Sequence, residues 1–291
     1  MNSRKIGYLE GVAKPIVKWA GGKTRLLKHL VPFATDKKMR VYAEPFMGGA
    51  ALFFKLASMP ERRFEKAVLC DQNPELVKTY VAVKKSVDRV LNALQKYADA
   101  EDRRELYYAT RDQIPHELTD VERAARLIFL NRTGYNGLWR VNSKGKFNVP
   151  YGRYKNPKIV DPERLHAASE ALACAEIRHV DFLEVSRERD EGDFVYFDPP
   201  YVPLSSTASF TAYASQGFGP ADQKRLVDEM WRLQSRGVRA MLSNAWNDET
   251  KRLYKGLEVE VVYAPRAINS DPSKRGEVAE ALVRNWKGAR T

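Results

Sequence analysis

The sequence predicts an α/β protein: a doubly wound, mostly parallel sheet with helices on both faces, interrupted by a mostly helical insert. Three observations carry that expectation. Short apolar runs alternate with helical periodicity along most of the chain, the pattern of a parallel sheet covered by helices. Two of those runs, residues 68–70 and 194–197, are apolar throughout and end on an acid, Asp71 and Asp198. Buried parallel strands read that way, and ligands of such sheets meet the strands' carboxyl ends. From Pro74 to Leu130 the alternation stops and the periodicity turns helical and charge-rich.

In chain order, residues 41–43 read as a strand, 44–49 as a tight loop and 50–57 as a helix of good formers. Residues 68–70 form a second strand; Asn73 and Pro74 then supply a cap and a first-turn proline for the next helix. Thr119 and Glu122 offer a capping box before Ala124, Ala125, Leu127 and Ile128. Residues 138–142 and 146–149 flank Ser143-Lys144-Gly145 and read as a β-hairpin. Strands are then expected at 175–179, 193–197, 238–242 and 258–262, with a helix over 220–236. Residues 1–73 and 161–291 are thus assigned to the sheet domain and 74–160 to the insert, whose hairpin lies around 134–155.

At 291 residues and 44% hydrophobic composition, the chain can bury a full core without staples. Cys70 and Cys174 are isolated, which fits a reducing compartment. The first seven residues lack an apolar core, and no run approaches the roughly 20 apolar residues of a membrane helix. A cytoplasmic protein with no membrane partner is expected. His29, His116, His166 and His179 are scattered, so no metal is expected. The net charge of +12 suggests a polyanionic partner. Between Arg123 and Val160 there is no acid, while Arg123, Arg126, Arg132, Arg140, Lys144, Lys146, Arg153, Lys155 and Lys158 are basic. Phe129, Tyr135, Trp139, Phe147, Tyr151 and Tyr154 are interleaved with them, as expected where phosphates are neutralised and bases touched.

Asp198-Pro199-Pro200-Tyr201 is the most specific stretch. Two prolines fix φ, so the Asp198 carboxylate and the Asp198 and Pro199 carbonyls hold set directions, with no proline N–H to compete for them. They suit an amino group with two N–H bonds. Tyr201 adds a face for a flat base, worth roughly 1–3 kcal/mol per stacked base. Glu44-Pro45-Phe46-Met47-Gly48-Gly49 permits close backbone approach at a helix start. Asp71 lies 22 residues beyond Gly49, near the separation at which an acid reaches ribose hydroxyls. Gly22-Lys23-Thr24 resembles the tail of a P-loop, the mark of a nucleoside triphosphatase. That motif requires a glycine five residues before Gly22, where Val17 stands.

With these residues in view, the chain resembles the Dam-type DNA adenine-N6 methyltransferases of the α group, over nearly its whole length. The resemblance runs through Lys18-Trp19-Ala20-Gly21-Gly22-Lys23, Glu44 to Gly49, Asp71, Asn131 to Asn142, Phe147 to Pro150, Gly152 to Tyr154, Asp181-Phe182, Asp198 to Tyr201 and Ser243-Asn244. Ser205, Thr207, Phe210, Thr211, Tyr213 and Phe218 also follow the pattern. It implies a Rossmann-like class I methyltransferase sheet using S-adenosyl-L-methionine. Trp19, Lys23, Phe46, Gly48, Gly49, Asp71, Asp181, Phe182 and Asp198 would lie at the cofactor, with Asp71 on the ribose and Asp181 and Phe182 at the adenine ring. Asp198, Pro199 and Tyr201 would be catalytic. Lys18, Arg132, Tyr135, Asn136, Leu138, Arg140, Pro150 and Arg153 would meet double-stranded DNA, with GATC the usual site; Trp139 stands at a variable position with an open role. A monomer acting at a bacterial or phage nucleoid is expected, in an orphan or a restriction–modification setting. Ring-carbon methylation of cytosine would need a cysteine, typically after proline; Leu69 and Ala173 precede the two present.

Overall fold

The computed structural model describes residues 12–201, 218–265 and 277–288. A 3-10 turn, Lys23–Arg25, leads into α1 (Leu27–Thr35), β1 (Met39–Glu44), α2 (Ala51–Ala57) and β2 (Phe64–Cys70). Three helices follow, α3 (Pro74–Ala98), α4 (Arg103–Asp112) and α5 (Asp120–Thr133). Beyond the segment 134–161 come α6 (Pro162–Leu172), β3 (Ala175–Arg178), α7 (Phe182–Arg187) and β4 (Phe194–Phe197). The described chain continues with α8 (Pro220–Ser235), β5 (Arg239–Ala245), α9 (Asp248–Leu253), β6 (Glu258–Pro265) and β7 (Glu277–Arg284).

The described strands form one sheet in the order β3-β2-β1-β4-β5-β7-β6. From β3 to β5 all neighbours are parallel, and β7 runs antiparallel to both β5 and β6. This is the expected α/β sheet, with one addition. Nothing in the sequence pointed to β7, because Glu277-Val278-Ala279-Glu280-Ala281-Leu282 is rich in helix formers. Burial between two strands overrides that preference: Ala281, Leu282 and Val283 are wholly buried.

The helix starts read from the sequence are built as expected. The Asn73 carboxamide oxygen accepts from the Glu75 and Leu76 amides at 3.0 and 3.2 Å. Thr119 and Glu122 close their reciprocal box, with the Thr119 amide donating to Oε2 of Glu122 at 2.9 Å. The hairpin is less regular than expected. It holds a single antiparallel bridge, Val141 to Phe147, around a turn in which Oδ1 of Asn142 accepts from the Lys144 and Lys146 amides at 3.0 Å each. A side chain there does what a strand ladder would otherwise do.

One core cluster joins a sheet face to the insert: Tyr42, Phe53, Leu69 and Phe194 pack in it with Leu76, Tyr80, Tyr107 and Leu127–Leu130. The other face packs Val68, Val195 and Phe197 beneath Leu226 and Met230 of α8. Among the described residues no helix is long and apolar enough to cross a membrane.

Candidate active site

Four neighbouring parallel strands carry the chemistry at their carboxyl ends. In sheet order β2 runs into Asp71, β1 ends at Glu44, β4 runs into Asp198 and β5 carries Ser243. All four residues of β4 are buried, which fixes the strand and hence the direction in which Asp198 leaves it.

The Asp198 carboxylate is held from two sides. Lys23 places Nζ 2.6 Å from Oδ1, and the Ser243 hydroxyl donates to the same oxygen at 2.9 Å. Ser243 in turn shares a 2.9 Å hydrogen bond with the Tyr196 hydroxyl, two residues up the same strand from Asp198. Burial pushes the Asp198 carboxyl up, while the ammonium and the serine hydroxyl favour its charged form. Lys23 also donates to the Gly21 carbonyl and lies 4.5 Å from the Tyr201 ring centroid. The Tyr201 hydroxyl donates to Glu280, and the Gln223 side chain on α8 donates to the Pro200 carbonyl at 3.1 Å. The diproline turn is therefore fixed at its far end by a helix that the tetrapeptide gave no sign of.

Glu44, beside this corner on β1, is fully buried and accepts the Tyr42 hydroxyl at 2.8 Å. Burial pushes its carboxyl up to about 8, against the Tyr42 hydrogen bond and with a further push from Asp198. That direction favours the protonated form of Glu44 near neutral pH, a property hidden in a motif notable mainly for its glycines.

The glycine turn packs as a cradle. Asp71 accepts the Gly48 amide through Oδ2 at 3.0 Å and the Asn73 amide through Oδ1 at 2.8 Å. Gly48 has φ +45°, and a Cβ there would lie 2.9 Å from the Trp19 ring. Ala50, also left-handed at φ 51°, opens α2. Phe46 stacks on Phe182 at 5.2 Å and meets Phe218 edge-on at 5.3 Å, giving an aromatic cluster beside the turn with Phe46 half-buried at its edge. Asp181 caps α7 through the Leu183 amide and pairs with Arg225 at 2.8 Å. Acid, glycine turn and aromatic cluster are the donor set that a nucleoside with a charged tail requires, so these residues fit S-adenosylmethionine.

Of the basic segment, the structure exposes part and buries part. Arg126 is buried on the Thr110 and Arg111 carbonyls, and Arg123 pairs with Glu75. The Arg132 guanidinium donates to the Lys158 and Ile16 carbonyls at 2.9 and 3.0 Å, so it clasps the segment internally. Phe129 and Phe147 are core residues, and Tyr151 packs on Tyr107. The expectation that six interleaved aromatics face a nucleic acid is corrected accordingly, because the insert needs several of them to fill its own core. Lys18, Tyr135, Asn136, Arg140, Pro150 and Arg153 are exposed, and Leu138 is half-buried. Asn136 and Arg153 both take left-handed φ, 55° and 54°, at this surface. Arg140 donates to the Asn148 side chain and carbonyl across the hairpin at 2.7 and 3.2 Å.

A clasp absent from the sequence reading joins this surface to the cradle. The Asn131 side chain accepts from the Lys18 amide at 2.8 Å and donates to the Lys18 and Gly137 carbonyls at 2.7 and 2.8 Å. Trp19, the next residue, stacks on Trp139 with centroids 6.1 Å apart. Trp139 thereby acquires a packing role. Ser205, Thr207, Phe210, Thr211 and Tyr213 lie outside the described residues.

A family model described as D12 class N6 adenine-specific DNA methyltransferase matches residues 19–268. Among curated proteins the chain is similar to a type II methyltransferase of Lactococcus lactis subsp. cremoris, 42% identical over 279 residues, with 94% of this chain and 95% of that protein covered. A type II methyltransferase of Methanocaldococcus jannaschii is 42% identical over 288 residues, covering 94% of this chain and 99% of that one. A DNA adenine methylase of Escherichia coli strain K12 is 33% identical over 275 residues, covering 93% and 94%.

Proposed function

The chain belongs to the D12 class of N6 adenine-specific DNA methyltransferases, and on that premise we propose that it methylates a flipped-out adenine within a specific site, GATC, in duplex DNA. The single observation that carries the reading is the Asp198 corner: a strand-end carboxylate held by Lys23 and Ser243, followed by a diproline turn that Gln223 anchors at the Pro200 carbonyl, with the Tyr201 ring beside it.

The enzyme depends on S-adenosylmethionine, which when bound supplies a methyl group on a positively charged sulfur. Gly48, Gly49 and Asp71 would hold its polar parts, Phe46 and Phe182 its flat ring, and Trp19 would close over the turn. The target nitrogen is a poor nucleophile because its lone pair is delocalised into the adenine ring. Two hydrogen bonds from its N–H groups, to Asp198 and to the Pro199 carbonyl, favour a tetrahedral nitrogen whose lone pair points at the methyl group. Transfer would then be a direct displacement resting on positioning and charge: the nitrogen–methyl bond would form as the sulfur–methyl bond breaks, the neutral thioether would leave, and the surplus proton on nitrogen would pass to the Asp198 carboxylate. No thiolate is needed, and Cys70 is unsuited to one: burial pushes its thiol up to about 11. Rotating the base out of the duplex costs a few kcal/mol, which Tyr201 stacking and backbone contacts offset. Lys18, Tyr135, Asn136, Arg140, Pro150 and Arg153 form the proposed DNA face, with Leu138 at its edge and Arg132 supporting it from within.

The GATC assignment is supported by the match of Gly134 to Leu138 and Arg140 to the Dam-type recognition element. A second reading, another adenine-containing site within a restriction–modification system, is favoured by the two type II relatives at 42% identity. One experiment separates them. DNA from a methylation-deficient host expressing the protein is sequenced with modified adenines read directly; N6-methyladenine confined to GATC supports the first, another motif the second, and none refutes the function.

A further inference from the structure

Glu280 is a carboxylate in an unusual place. It sits on β7 between two other strands, in register with Ala245 of β5 and Val262 of β6. Its neighbours Ala281, Leu282 and Val283 are wholly buried, while Glu280 itself is half-buried. Among the described residues no lysine or arginine pairs with Glu280; its partner is the Tyr201 hydroxyl, 79 residues away. Burial and the nearby Asp198 and Glu280 carboxylates push the Tyr201 phenol far above its usual range, so the hydroxyl stays a donor.

Tyr201 needs such an anchor. It follows the diproline turn, whose backbone the Gln223 side chain holds at the Pro200 carbonyl. Its hydroxyl lies on the axis about which the ring spins, so holding that oxygen fixes where the ring points while leaving the plane to whatever lies on its face. In this structure the Lys23 ammonium lies there, 4.5 Å from the centroid, and the same ammonium contacts Asp198.

We propose that Glu280 is a positioning residue for methyl transfer: by accepting the Tyr201 hydroxyl it aims the stacking face at the place where the target base must lie against Asp198. The inference rests on the reading of Asp198 to Tyr201 as the acceptor site. Glu280 touches neither base nor cofactor and acts only through Tyr201. The bond is already made in the free protein, so its loss acts by leaving the Tyr201 ring less often in the reacting arrangement, and a roughly tenfold lower rate corresponds to about 1.4 kcal/mol of lost preorganisation.

The test uses the full-length protein and a duplex of the preferred site, with either adenine or 2-aminopurine at the target. Glu280→Ala and Tyr201→Phe are each expected to lower kcat about tenfold, with cofactor affinity within about twofold of wild type and 2-aminopurine emission raised by poorer stacking. Glu280→Gln keeps an uncharged acceptor and should recover part of the loss. The double variant Tyr201→Phe/Glu280→Ala should be no slower than either single one, because both remove the same bond. A Glu280→Ala enzyme within twofold of wild type overturns the proposal, as does a double variant about a hundredfold slower, the product of two independent losses. If Glu280→Ala does not fold, Tyr201→Phe with wild-type kcat and emission overturns it equally. A wild-type protein inert on adenine is a separate outcome, which refutes the assignment of the site itself.

Discussion

Glu44 and Asp198 end neighbouring strands, and burial raises both carboxyls, but only Asp198 has an ammonium against it. The difference separates their roles: Asp198 is poised to accept from an amine, whereas Glu44 is a proton-bearing part of the floor. Its folded value near 8 stands above the ordinary 4.5, so its contribution to stability is fully present below about pH 4.5 and is lost as pH rises through 8. Thermal midpoints measured from pH 4.5 to 8 should therefore fall more steeply for the wild type than for Glu44→Gln; parallel curves would show that Glu44 ionises normally in the fold. Asp198→Ala should lower methyl transfer by at least about a hundredfold while DNA affinity stays within about threefold, since the residue lies apart from the basic surface. Turnover within tenfold of wild type would remove Asp198 from the reaction. Asp198, like Asp71, was legible as a strand-end acid because strand, acid and turn are contiguous, whereas Glu44 reads as part of a loop. The contacts of Ser243, Tyr196 and Glu280 were not legible, because they join residues 45, 47 and 79 positions apart, although Ser243 itself stands in the family pattern.

The 138–149 hairpin is held by side chains as well as by backbone bonds such as Asn142 to Lys146 and Asn148 to Arg140. Arg140 uses Nε and one terminal nitrogen on Asn148, which braces the guanidinium across the turn and still leaves donors of its five for a base edge. With rates measured at fixed salt on the preferred site and its single-base variants, Arg140→Ala should narrow the gap between right and wrong sites by roughly 1–3 kcal/mol. If all rates drop by one factor, Arg140 is a brace and reads nothing. Lys158 differs from the neighbouring exposed Lys155, since its ammonium lies 2.9 Å from Asp161 and is part of the support beneath the surface. Charge composition exposed the segment as a whole, yet it could not divide the residues that face outward from Arg123, Arg126 and Arg132, whose partners lie in α3, α4 and the arm before α1. For the same reason β7 was invisible: its local preference is helical, and only the strands on either side make it extended.

Across the whole molecule, the cradle and the proposed DNA face are joined by the Asn131 clasp and by the Trp19–Trp139 stack. Asn131 binds the Lys18 backbone at both its polar groups and the Gly137 carbonyl as well, 113 and 6 residues away. Asn131→Ala would leave buried backbone groups without partners, so a loss of about 2–4 kcal/mol in denaturant unfolding is expected, together with weaker enhancement of cofactor affinity by DNA. Unchanged stability would mean that water replaces the clasp. The alternation of strands and helices made the parallel half of the sheet readable, and the capping residues made the insert's helix starts readable, because both are local signals. The junction between them is written in long-range contacts. The antiparallel strand also couples its two neighbours. β6 precedes β7 along the chain but touches β5 only through it. In the finished sheet the outer edge of β5, β6 and β7 depend on one another, so their amides are expected to gain protection together in pulse-labelled exchange during refolding; protection of β6 before β7 would show otherwise.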